Sequence, residues 1–517
     1  MREAFRNMRS GRRDGSSNET SQGSIAISDS PPISLAAMST AASRSLSRHI
    51  FGKVLEPASE PADAANESPD REPFVSESAP YKLLYLAYAC EPGRGSEWGL
   101  GWHYVDEIAR TQPVWVITHA DNRPGLDAYL ASKHKGHPVH VTYVELPRWL
   151  GWMRQSFYTL YNVHYYLWQF AAARAAKKLH ARVKLDLVQH VSLFRWWMPS
   201  AGAALVDDGV GFIFGPVGGG ELLPRGFAKT GTLYSRFSDF LRWTARSIWR
   251  QDPLLRRTIR KANLLVAGTE ACAKWFRRYG GGDHNIVTIC SAMAGAAEYA
   301  DAVHKARAER PAGQPFTFAS CGGLSYYRGV DLAVKAFAKA NLPNAQYVHL
   351  CDGPMRPTIE QIARDLGVAD RVHMLGDMPH IDCLRHVAQA DVCVHTVLRD
   401  SQGALVETML AGVPVITLDH LTPGMLVGDD CGTKIPIDER TTPDQLVDQI
   451  ADAMRQFYYG QVPLAEMGEA AKARAATFAP EAKGAIYRGY HERVLREVRQ
   501  KHDAPTSTTQ SLPKHAL

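Results

Sequence analysis

The stretch Cys321-Gly322-Gly323-Leu324-Ser325-Tyr326-Tyr327-Arg328-Gly329 decides the fold, because it joins an apolar strand to a helical pattern through a glycine-containing turn. The same order of strand, turn and helix returns at Leu350-Cys351-Asp352-Gly353-Pro354 and again around residues 400–407. This repeat is typical of an α/β doubly wound sheet, whose ligand lies at the carboxyl ends of the strands. A basic residue on the first turn and an acid on the last suit a ligand with phosphate at one end and ribose at the other.

These turns resemble the carboxyl-terminal half of retaining glycosyltransferases of the GT-B type, family 4 (glycosyl transferases group 1), including members that build polysaccharides. That half typically reads Gly-Arg-Leu, three variable residues and Lys-Gly, then Gly-Asp-Gly-Pro, then an acid, seven residues and Glu. The matching residues occur here in the same order: Gly322, Leu324, Arg328-Gly329, Asp352-Gly353-Pro354 and Glu407. The resemblance covers about residues 81 to 500. It implies an α/β fold of two Rossmann-like domains that face a central cleft.

The resemblance assigns roles to the residues of these turns. Glu407 would hold the nucleotide ribose, and Arg328 would clamp the diphosphate, because a guanidinium binds two phosphate oxygens at once. Backbone amides at the start of a helix attract phosphate. The expected donor-binding residues are Gly322, Arg328, Gly353, Gly403, Ala404, Leu405 and Glu407. The alternative interpretation makes Glu407 an acid favoured by the helix dipole and Arg328 a solvated surface arginine.

Two positions depart from the family pattern. Gly323 stands where the family has an arginine, so one of two cationic clamps is missing from this turn. Seven residues between the two acids would place the first acid at Arg399, and the nearest acid is Asp400, one residue closer to Glu407. A shortened loop would let Asp400 touch the sugar, and a plain turn-forming aspartate is the alternative.

The amino-terminal half carries further candidates. Residues 93–101 include four glycines, Gly95 and Gly99 among them, and resemble the family's first glycine-rich loop, where backbone approaches the acceptor or the donor phosphates. A tight strand-to-helix turn is the competing interpretation. His190 matches a family histidine near the transferred sugar, although a lone histidine is commonly a satisfied core residue. The predicted catalytic residues are His190, Arg328, Asp400 and Glu407.

Length and composition set the broad class. The chain of 517 residues exceeds the usual size of a single core, which predicts two domains with tails. Its 45% hydrophobic and 22% charged residues are typical of soluble globular proteins. No apolar run of about eighteen residues and no apolar region after the amino-terminal arginines occurs, so we expect neither a spanning helix nor a secretory signal. The expected localisation is cytoplasmic, with peripheral contact at the inner face of the membrane left open.

Eight cysteines are scattered along the chain, without a Cys-x-x-Cys pair or a histidine at metal-ligand spacing. Several lie inside apolar runs that predict strands. We interpret them as small buried hydrophobic residues of a reducing compartment, and the sequence predicts neither a disulfide nor a metal site.

The chain is predicted to have five parts. They are a disordered Ser/Pro-rich tail (1–79), an N-terminal Rossmann-like acceptor domain (80–297), a C-terminal Rossmann-like nucleotide-sugar donor domain (315–478), a helix crossing back to the first domain (479–500) and a second disordered tail (501–517). The charged, Ala-rich residues 298–314 are interpreted as the connector between the two domains.

The resemblance implies an enzyme that moves a hexosyl unit from a UDP- or GDP-sugar to a glycan or polyprenyl-linked oligosaccharide, with retention, in exopolysaccharide or lipopolysaccharide biosynthesis. The nucleotide-sugar is a co-substrate, and neither a cofactor nor a metal is expected. Two segments that mix tryptophan with cations, residues 148–168 and 236–261, suit a membrane surface, with ordinary core aromatics as the alternative. No nucleic-acid module is recognised. The competing function is a catalytically weak, glycosyltransferase-like subunit that binds nucleotide-sugar or scaffolds a polysaccharide assembly complex.

Overall fold

The computed structural model describes residues 81–94, 97–132, 138–155, 158–193, 195–219, 223–227, 237, 240–241, 243–244, 247–293, 297–399 and 403–503. The predicted tail 1–79 lies outside these ranges, as does the predicted tail 501–517 beyond residue 503. Two predicted site residues, Gly95 and Asp400, also lie outside them.

A first parallel sheet occupies the amino-terminal part of the described chain. Its strands are β1 (Leu83–Ala87), β2 (Val114–His119), β3 (Val139–Val144), β4 (Leu187–Ser192), β5 (Gly211–Val217), β6 (Leu264–Ala267) and β7 (Ile286–Thr288). They lie in the order β3-β2-β1-β4-β5-β6-β7 and all run parallel. β1 is buried along its whole length, which explains its continuous apolar sequence. Its alternate residues belong to two different apolar clusters, so both faces of this sheet are covered.

A second parallel sheet follows in the carboxyl-terminal part of the described chain. Its strands are β8 (Phe316–Cys321), β9 (Ala345–Leu350), β10 (Val372–Gly376), β11 (Val392–His395), β12 (Val415–Asp419) and β13 (Gly432–Pro436). Their order is β10-β9-β8-β11-β12-β13, again all parallel. Both sheets therefore have the doubly wound strand order, which reverses between β1 and β4 and between β8 and β11. The predicted α/β class with two Rossmann-like domains is confirmed.

Helices connect the strands of both sheets. Within the described residues they are α1 (Glu97–Ala109), α2 (Arg123–Ser132), α3 (Trp152–Gln155), α4 (Tyr158–Val183), α5 (Pro253–Lys261), α6 (Glu270–Tyr279), α7 (Ala297–Ala308), α8 (Val330–Ala340), α9 (Arg356–Asp365), α10 (His380–Ala388), α11 (Gly403–Leu410), α12 (Leu421–Leu426), α13 (Pro443–Tyr458), α14 (Leu464–Ala476) and α15 (Pro480–Asp503). Local sequence explains some of the starts. The Asp252 side chain accepts from the amide of Leu254 ahead of α5, and Thr442 and Gln445 form a capping box ahead of α13.

The segment predicted as a connector, residues 298–314, is largely helical and belongs to the second domain. α7 packs against α10, and Val303 shares an apolar cluster with Ala388. Just after α7, Arg310 forms a two-pronged ion pair with Asp391, with both nitrogen–oxygen distances at 2.5 Å. The prediction relied on composition, because alanines and charged residues are common in linkers. It did not consider that one side of a helix with this composition can be buried.

The last helix of the described chain, α15, contacts the first domain. Lys483 Nζ donates to the carbonyl oxygen of Cys290 at 2.7 Å. Further along, His491 Nε2 lies 2.7 Å from Gln189 Oε1 of β4. This element corresponds to the crossing helix predicted at residues 479–500.

A short segment of the amino-terminal half reaches the second domain. Phe227 is buried in the apolar cluster that contains Phe318 and Leu398. A Cβ atom on Gly226 would lie only 2.3 Å from the carbonyl oxygen of Thr441, so the two backbones are in close contact. Buried contacts as well as chain connections therefore hold the two domains together.

Candidate functional site

The strand order of the second sheet reverses between β8 and β11. Main-chain pairing joins Val392 to Phe318 and Cys393 to Ala319, so the loops after these strands leave the same edge of the sheet side by side. One loop carries Arg328, and the other leads into α11. Ligands of doubly wound sheets bind in the crevice at this position. We call it the switch-point crevice.

Arg328 lies on a 3-10 turn, Tyr326–Arg328, that ends at Gly329. Gly329 has a φ of +64°, and a Cβ atom there would lie 2.3 Å from the carbonyl oxygen of Thr396. The Thr396 hydroxyl donates to the carbonyl oxygens of Gly329, at 2.8 Å, and Arg328, at 3.2 Å. Both space and backbone conformation therefore require glycine here. These contacts fix the turn to the end of β11.

The Arg328 guanidinium lies against Gly322, at the end of β8. A Cβ atom built on Gly322 would lie 3.0 Å from Arg328 Nη1, and Gly322 itself has a φ of +117°. The missing side chain leaves room for the guanidinium. A half-buried cation therefore lies at the edge of the sheet where the diphosphate was predicted.

A second cation, which sequence reasoning missed, lies beside the Arg328 turn. Arg399 Nη2 donates to the Tyr326 hydroxyl at 2.8 Å. Its guanidinium carbon lies 5.4 Å from the ring centroid of Tyr326 and 5.1 Å from that of Tyr327. Such cation–π contacts, with the hydrogen bond, restrict the orientation of the guanidinium. Arg399 directly precedes Asp400 in the sequence, but the family pattern led us to look only for an acid at this place.

Glu407 lies in the second turn of α11 and contacts a histidine of the neighbouring helix α10. His380 Nε2, at the start of α10, lies 3.1 Å from Glu407 Oε1, and both side chains are partly exposed. Burial lowers the pKa of His103 in α1, while the nearby carboxylates of Asp106 and Glu407 oppose that shift. Glu407 is therefore close to the first domain as well. Neither histidine was predicted, because single histidines on helices leave no spacing pattern.

The first turn of α11 begins at an exposed residue and is packed into the core two residues later. Gly403 is exposed and has open space around its Cα atom, whereas Leu405 is buried in an apolar cluster. The Thr408 hydroxyl donates to the carbonyl oxygen of Ala404 at 2.8 Å. The first amides of a helix have no partner inside the helix, so they present the positive end of the helix dipole beside the crevice. Asp400, just before this turn, lies outside the described residues.

Two of the predicted glycines are explained by packing. A Cβ atom on Gly353 would lie 2.6 Å from the carbonyl oxygen of Leu324, in the loop that follows β8. A Cβ atom on Gly99 would lie 2.1 Å from the carbonyl oxygen of Arg94. Glycine thus lets neighbouring backbone segments approach each other at both positions. Their contacts with a ligand stay predictions, as does the role of Gly95, which lies outside the described residues.

The structure shows the contacts of His190 inside the first domain, and its predicted contact with the sugar stays a prediction. It is buried in β4, with Nε2 at 3.1 Å from the Tyr165 hydroxyl and Nδ1 at 3.1 Å from Ser200 Oγ. Burial lowers the pKa of His190 to about 4. With both ring nitrogens engaged inside the first domain, His190 has the contacts of a core histidine. The sequence could not separate the two cases, because both place the histidine in an apolar strand.

Another polar group lies at the carboxyl end of β2. His119 Nδ1 accepts from the amide of Asp121 at 3.1 Å, and its buried Nε2 has no hydrogen-bond partner among the described residues. The His164 ring lies 5.5 Å from the His119 ring, and Arg154 pairs with Asp121. Burial lowers the pKa of both histidines, that of His164 to about 4. The edge of the first sheet therefore carries neutral imidazoles that the sequence did not indicate.

The segment that builds the switch-point crevice also has a family match. Residues 304–474 match the family model described as Glycosyl transferases group 1. We refer to this matched segment as the group 1 domain. It runs from within α7 into α14 and includes Arg328 and Glu407, which supports the predicted glycosyltransferase class.

One curated relative matches part of the chain. The gpi3 subunit of phosphatidylinositol N-acetylglucosaminyltransferase from Schizosaccharomyces pombe (strain 972 / ATCC 24843) is 26% identical over 112 residues. The match covers 19% of this chain and 25% of the relative. The chain thus spans about a quarter of the length of that curated relative.

Solved structures share the fold at low sequence identity. A sucrose-phosphate synthase from Thermosynechococcus elongatus superposes with a TM-score of 0.54 at 14% identity, covering 81% of this chain and 100% of the other. A glycosyltransferase from Rickettsia africae ESF-5 gives 0.54 at 12% identity, with 81% and 100% covered. WaaG, a glycosyltransferase involved in lipopolysaccharide biosynthesis, gives 0.50 at 18% identity, with 78% and 99% covered. These similarities show the two-domain fold around the group 1 domain.

The surface of the first domain exposes large aromatic side chains. Trp149 is 72% exposed and Trp152 is 57% exposed, and Phe240 and Trp243 are also largely exposed. In the part of the chain that the structure describes, no helix combines the length and the apolar content needed to cross a membrane.

Proposed function

We propose that the group 1 domain binds a nucleoside-diphosphate sugar in the switch-point crevice and that the protein transfers its hexosyl unit. The supporting observation is that Arg328 follows β8, that the first turn of α11 and Glu407 follow β11, and that these two strands are paired side by side. Arg328 and the amides of residues 403–405 supply positive charge for the diphosphate. The Glu407 carboxylate can accept hydrogen bonds from both hydroxyls of a ribose.

The proposed reaction retains the anomeric configuration and uses no metal. Departure of the nucleoside diphosphate builds negative charge on the leaving oxygen, and fixed cations stabilise that charge without reorganising. Arg328 and Arg399 both lie beside the end of β8 and can share this task. A donor phosphate oxygen would accept the proton of the acceptor hydroxyl.

We further propose that the acceptor is a glycan or a polyprenyl-linked oligosaccharide, in exopolysaccharide or lipopolysaccharide biosynthesis in the cytoplasm. Exposed Trp149 and Trp152, with Arg148 beside them in the sequence, suit a peripheral contact with anionic lipid headgroups. Co-sedimentation with anionic vesicles tests this contact. A double change of Trp149 and Trp152 to serine should reduce binding, whereas equal binding by both proteins would count against a membrane role.

A panel of UDP- and GDP-sugars tests the donor site directly. A ligand that binds only the folded protein raises the unfolding temperature, so one donor class should give a clear shift. Glu407→Gln should weaken that donor by roughly 10- to 100-fold, because a hydrogen bond to a charged group contributes about 1.5–3 kcal/mol. Glu360→Gln, on the exposed face of α9 where Glu360 pairs with Arg356, is the matched control. Equal affinity of the two variants would exclude Glu407 from the donor site.

A catalytically weak, nucleotide-sugar-binding subunit is the second candidate, and Gly323 favours it. The family pattern has an arginine at this position, so one cation of the turn is missing. Donor hydrolysis by the purified chain separates the two functions. Donor turnover by the native chain that is lost in Glu407→Gln supports the enzyme. Binding of a donor without turnover, tested with a range of acceptors, supports the subunit.

A further inference from the structure

Three cysteines that are far apart in the sequence meet beside the switch-point crevice. Cys321 ends β8, Cys351 follows β9, and Cys383 lies in α10. Their Sγ atoms all lie within 4.8 Å of one another, and the closest pair, Cys321 and Cys383, is separated by 3.2 Å. Leu350 and Val387 surround them with apolar groups, while Cys321 and Cys351 stay partly exposed. The pair is too far apart for a disulfide, whose sulfur atoms are about 2.05 Å apart.

Cys351 has a backbone conformation that side chains disfavour. Its φ is +93°, a value at which glycine is the residue of lowest energy. The family pattern has glycine at this position, directly before Asp-Gly-Pro. Cys351 nevertheless occupies it and brings its thiol into the cluster with Cys321 and Cys383. Buried apolar packing alone does not explain a cysteine here, because glycine would avoid the strain.

We propose that Cys321, Cys351 and Cys383 form a binding site for one thiophilic cation, with zinc as the expected ion. Thiolates prefer zinc or copper(I) to magnesium or calcium. A zinc–sulfur bond is about 2.3 Å, which sets tetrahedrally arranged sulfur atoms about 3.8 Å apart. The observed separations, from 3.2 Å to at most 4.8 Å, span that value. The partly exposed side of the cluster leaves the fourth position to water.

Binding of a cation is coupled to the protonation of the cluster. A cysteine binds a metal ion as a thiolate, so each thiol that is protonated beforehand must lose its proton. Protons are therefore released when the cation binds, and affinity rises with pH.

The site would cross-link three elements that border the crevice. Cys321 directly precedes Gly322, Cys351 directly precedes Asp352, and Cys383 lies one turn after His380. A bound cation would therefore stabilise the ends of β8 and β9 against α10. This role does not depend on which ligand the crevice takes.

The test uses the full chain, reduced and stripped of metal with a chelator. Zinc affinity is measured by competition with a chromophoric chelator, and cadmium serves as an optical probe, because its thiolate complexes absorb in the ultraviolet. We expect one cation for each chain, release of protons on binding and a higher unfolding temperature. Cys351→Gly should weaken zinc binding by at least about 100-fold, since it removes one of three ligands.

The design separates loss of the site from loss of the fold. Glycine suits the φ of residue 351, so Cys351→Gly should fold at least as readily as the native chain. Cys393→Ala, which removes a buried thiol of β11 outside the cluster, is the matched control and should keep the cadmium band. Equal zinc affinity in Cys351→Gly and the native chain would overturn the proposal. A Cys321–Cys383 disulfide that persists in excess reductant and leaves no cation bound would also overturn it.

Discussion

The two sheets have the same strand order, yet the crevices at their reversal points differ in content. At the first crevice, the amide of Ala89 donates to Ser192 Oγ at 3.1 Å, and a Cβ atom on Gly101 would lie 2.1 Å from the Ala89 carbonyl oxygen. The loop after β1, the end of β4 and α1 are therefore in close contact at that edge. At the second crevice, partly exposed Arg328 lies on the loop after β8, and partly exposed Glu407 lies in α11, which follows β11.

The comparison shows that topology supplies a place for a ligand while side chains decide whether the place is used. Doubly wound order creates a gap between loops in both domains. In the first domain, Ala89, Ser192 and Gly101 pack closely at the gap. Charged residues line it in the second, which is also the part that matches the group 1 family. Substitutions at the two crevices should therefore have different consequences.

The largest effect is expected for Arg328→Ala. Removing one fixed donor to a developing negative charge typically reduces the catalytic rate by roughly 100- to 1,000-fold. We expect a loss of that size in kcat for donor hydrolysis or transfer, measured by release of the nucleoside diphosphate. The fold should be unaffected, because the turn is held by hydrogen bonds from the Thr396 hydroxyl to the main-chain carbonyl oxygens of Arg328 and Gly329.

Arg364→Ala is the matched control for this prediction. Arg364 lies on α9 and bonds to Gln361 at the surface, so its loss removes a similar charge outside the crevice. Comparable losses in the two variants would show that general charge, and not the position of Arg328, controls activity.

Gly353→Ala should have the next largest effect, through stability. The added methyl group would lie 2.6 Å from a backbone oxygen of Leu324, which cannot move aside as a flexible side chain can. Overpacking of this kind costs about 1–3 kcal/mol in the free energy of unfolding. Gly403→Ala, which meets open space at the start of α11, should leave the unfolding free energy nearly unchanged. Denaturant titration distinguishes the two outcomes.

Sequence sufficed for the fold class because glycine turns and apolar strands report local geometry. Gly329 and Gly353 are required by close backbone contacts at the ends of the strands. The same reasoning placed Glu407 and Arg328 on loops that the sheet brings together.

Groups that meet only through tertiary packing could not be predicted. His380 reaches Glu407 because α10 lies beside α11, and no spacing in the sequence reports that arrangement. The three cysteines of the proposed cation site come from separate elements for the same reason. The contacts of His190 could not be predicted either, because Tyr165 and Ser200 lie elsewhere in the chain.

His190→Gln tests whether His190, in the first domain, affects the pH dependence of stability and not catalysis. The pKa of His190 is about 4 in the folded chain, against about 6.5 in the unfolded chain. The unfolded chain therefore binds more protons between these values. The stabilising contribution of neutral His190 is complete above about pH 6.5 and is lost as the pH falls through about 4.

The expected result is a shallower loss of stability on acidification in His190→Gln. One histidine contributes at most about 1.4 kcal/mol per pH unit to the slope of the unfolding free energy. Denaturant unfolding at several pH values measures that slope, with His284→Gln at an exposed turn as the control. The kcat of the folded variant should equal that of the native chain. A large fall in kcat at full folding would return His190 to the list of catalytic candidates.

Arg399→Lys is expected to have the smallest effect and tests whether the second crevice has two working cations. Lysine keeps the charge but cannot reproduce the planar contact with Tyr326 and Tyr327, so its position relaxes. We expect donor affinity to fall by roughly 3- to 10-fold, about 1 kcal/mol, the size of one cation–π contact. Arg385→Lys on the exposed face of α10 should leave it unchanged. If both variants bind donor as the native chain does, Arg328 acts alone, and the missing arginine at Gly323 is not compensated.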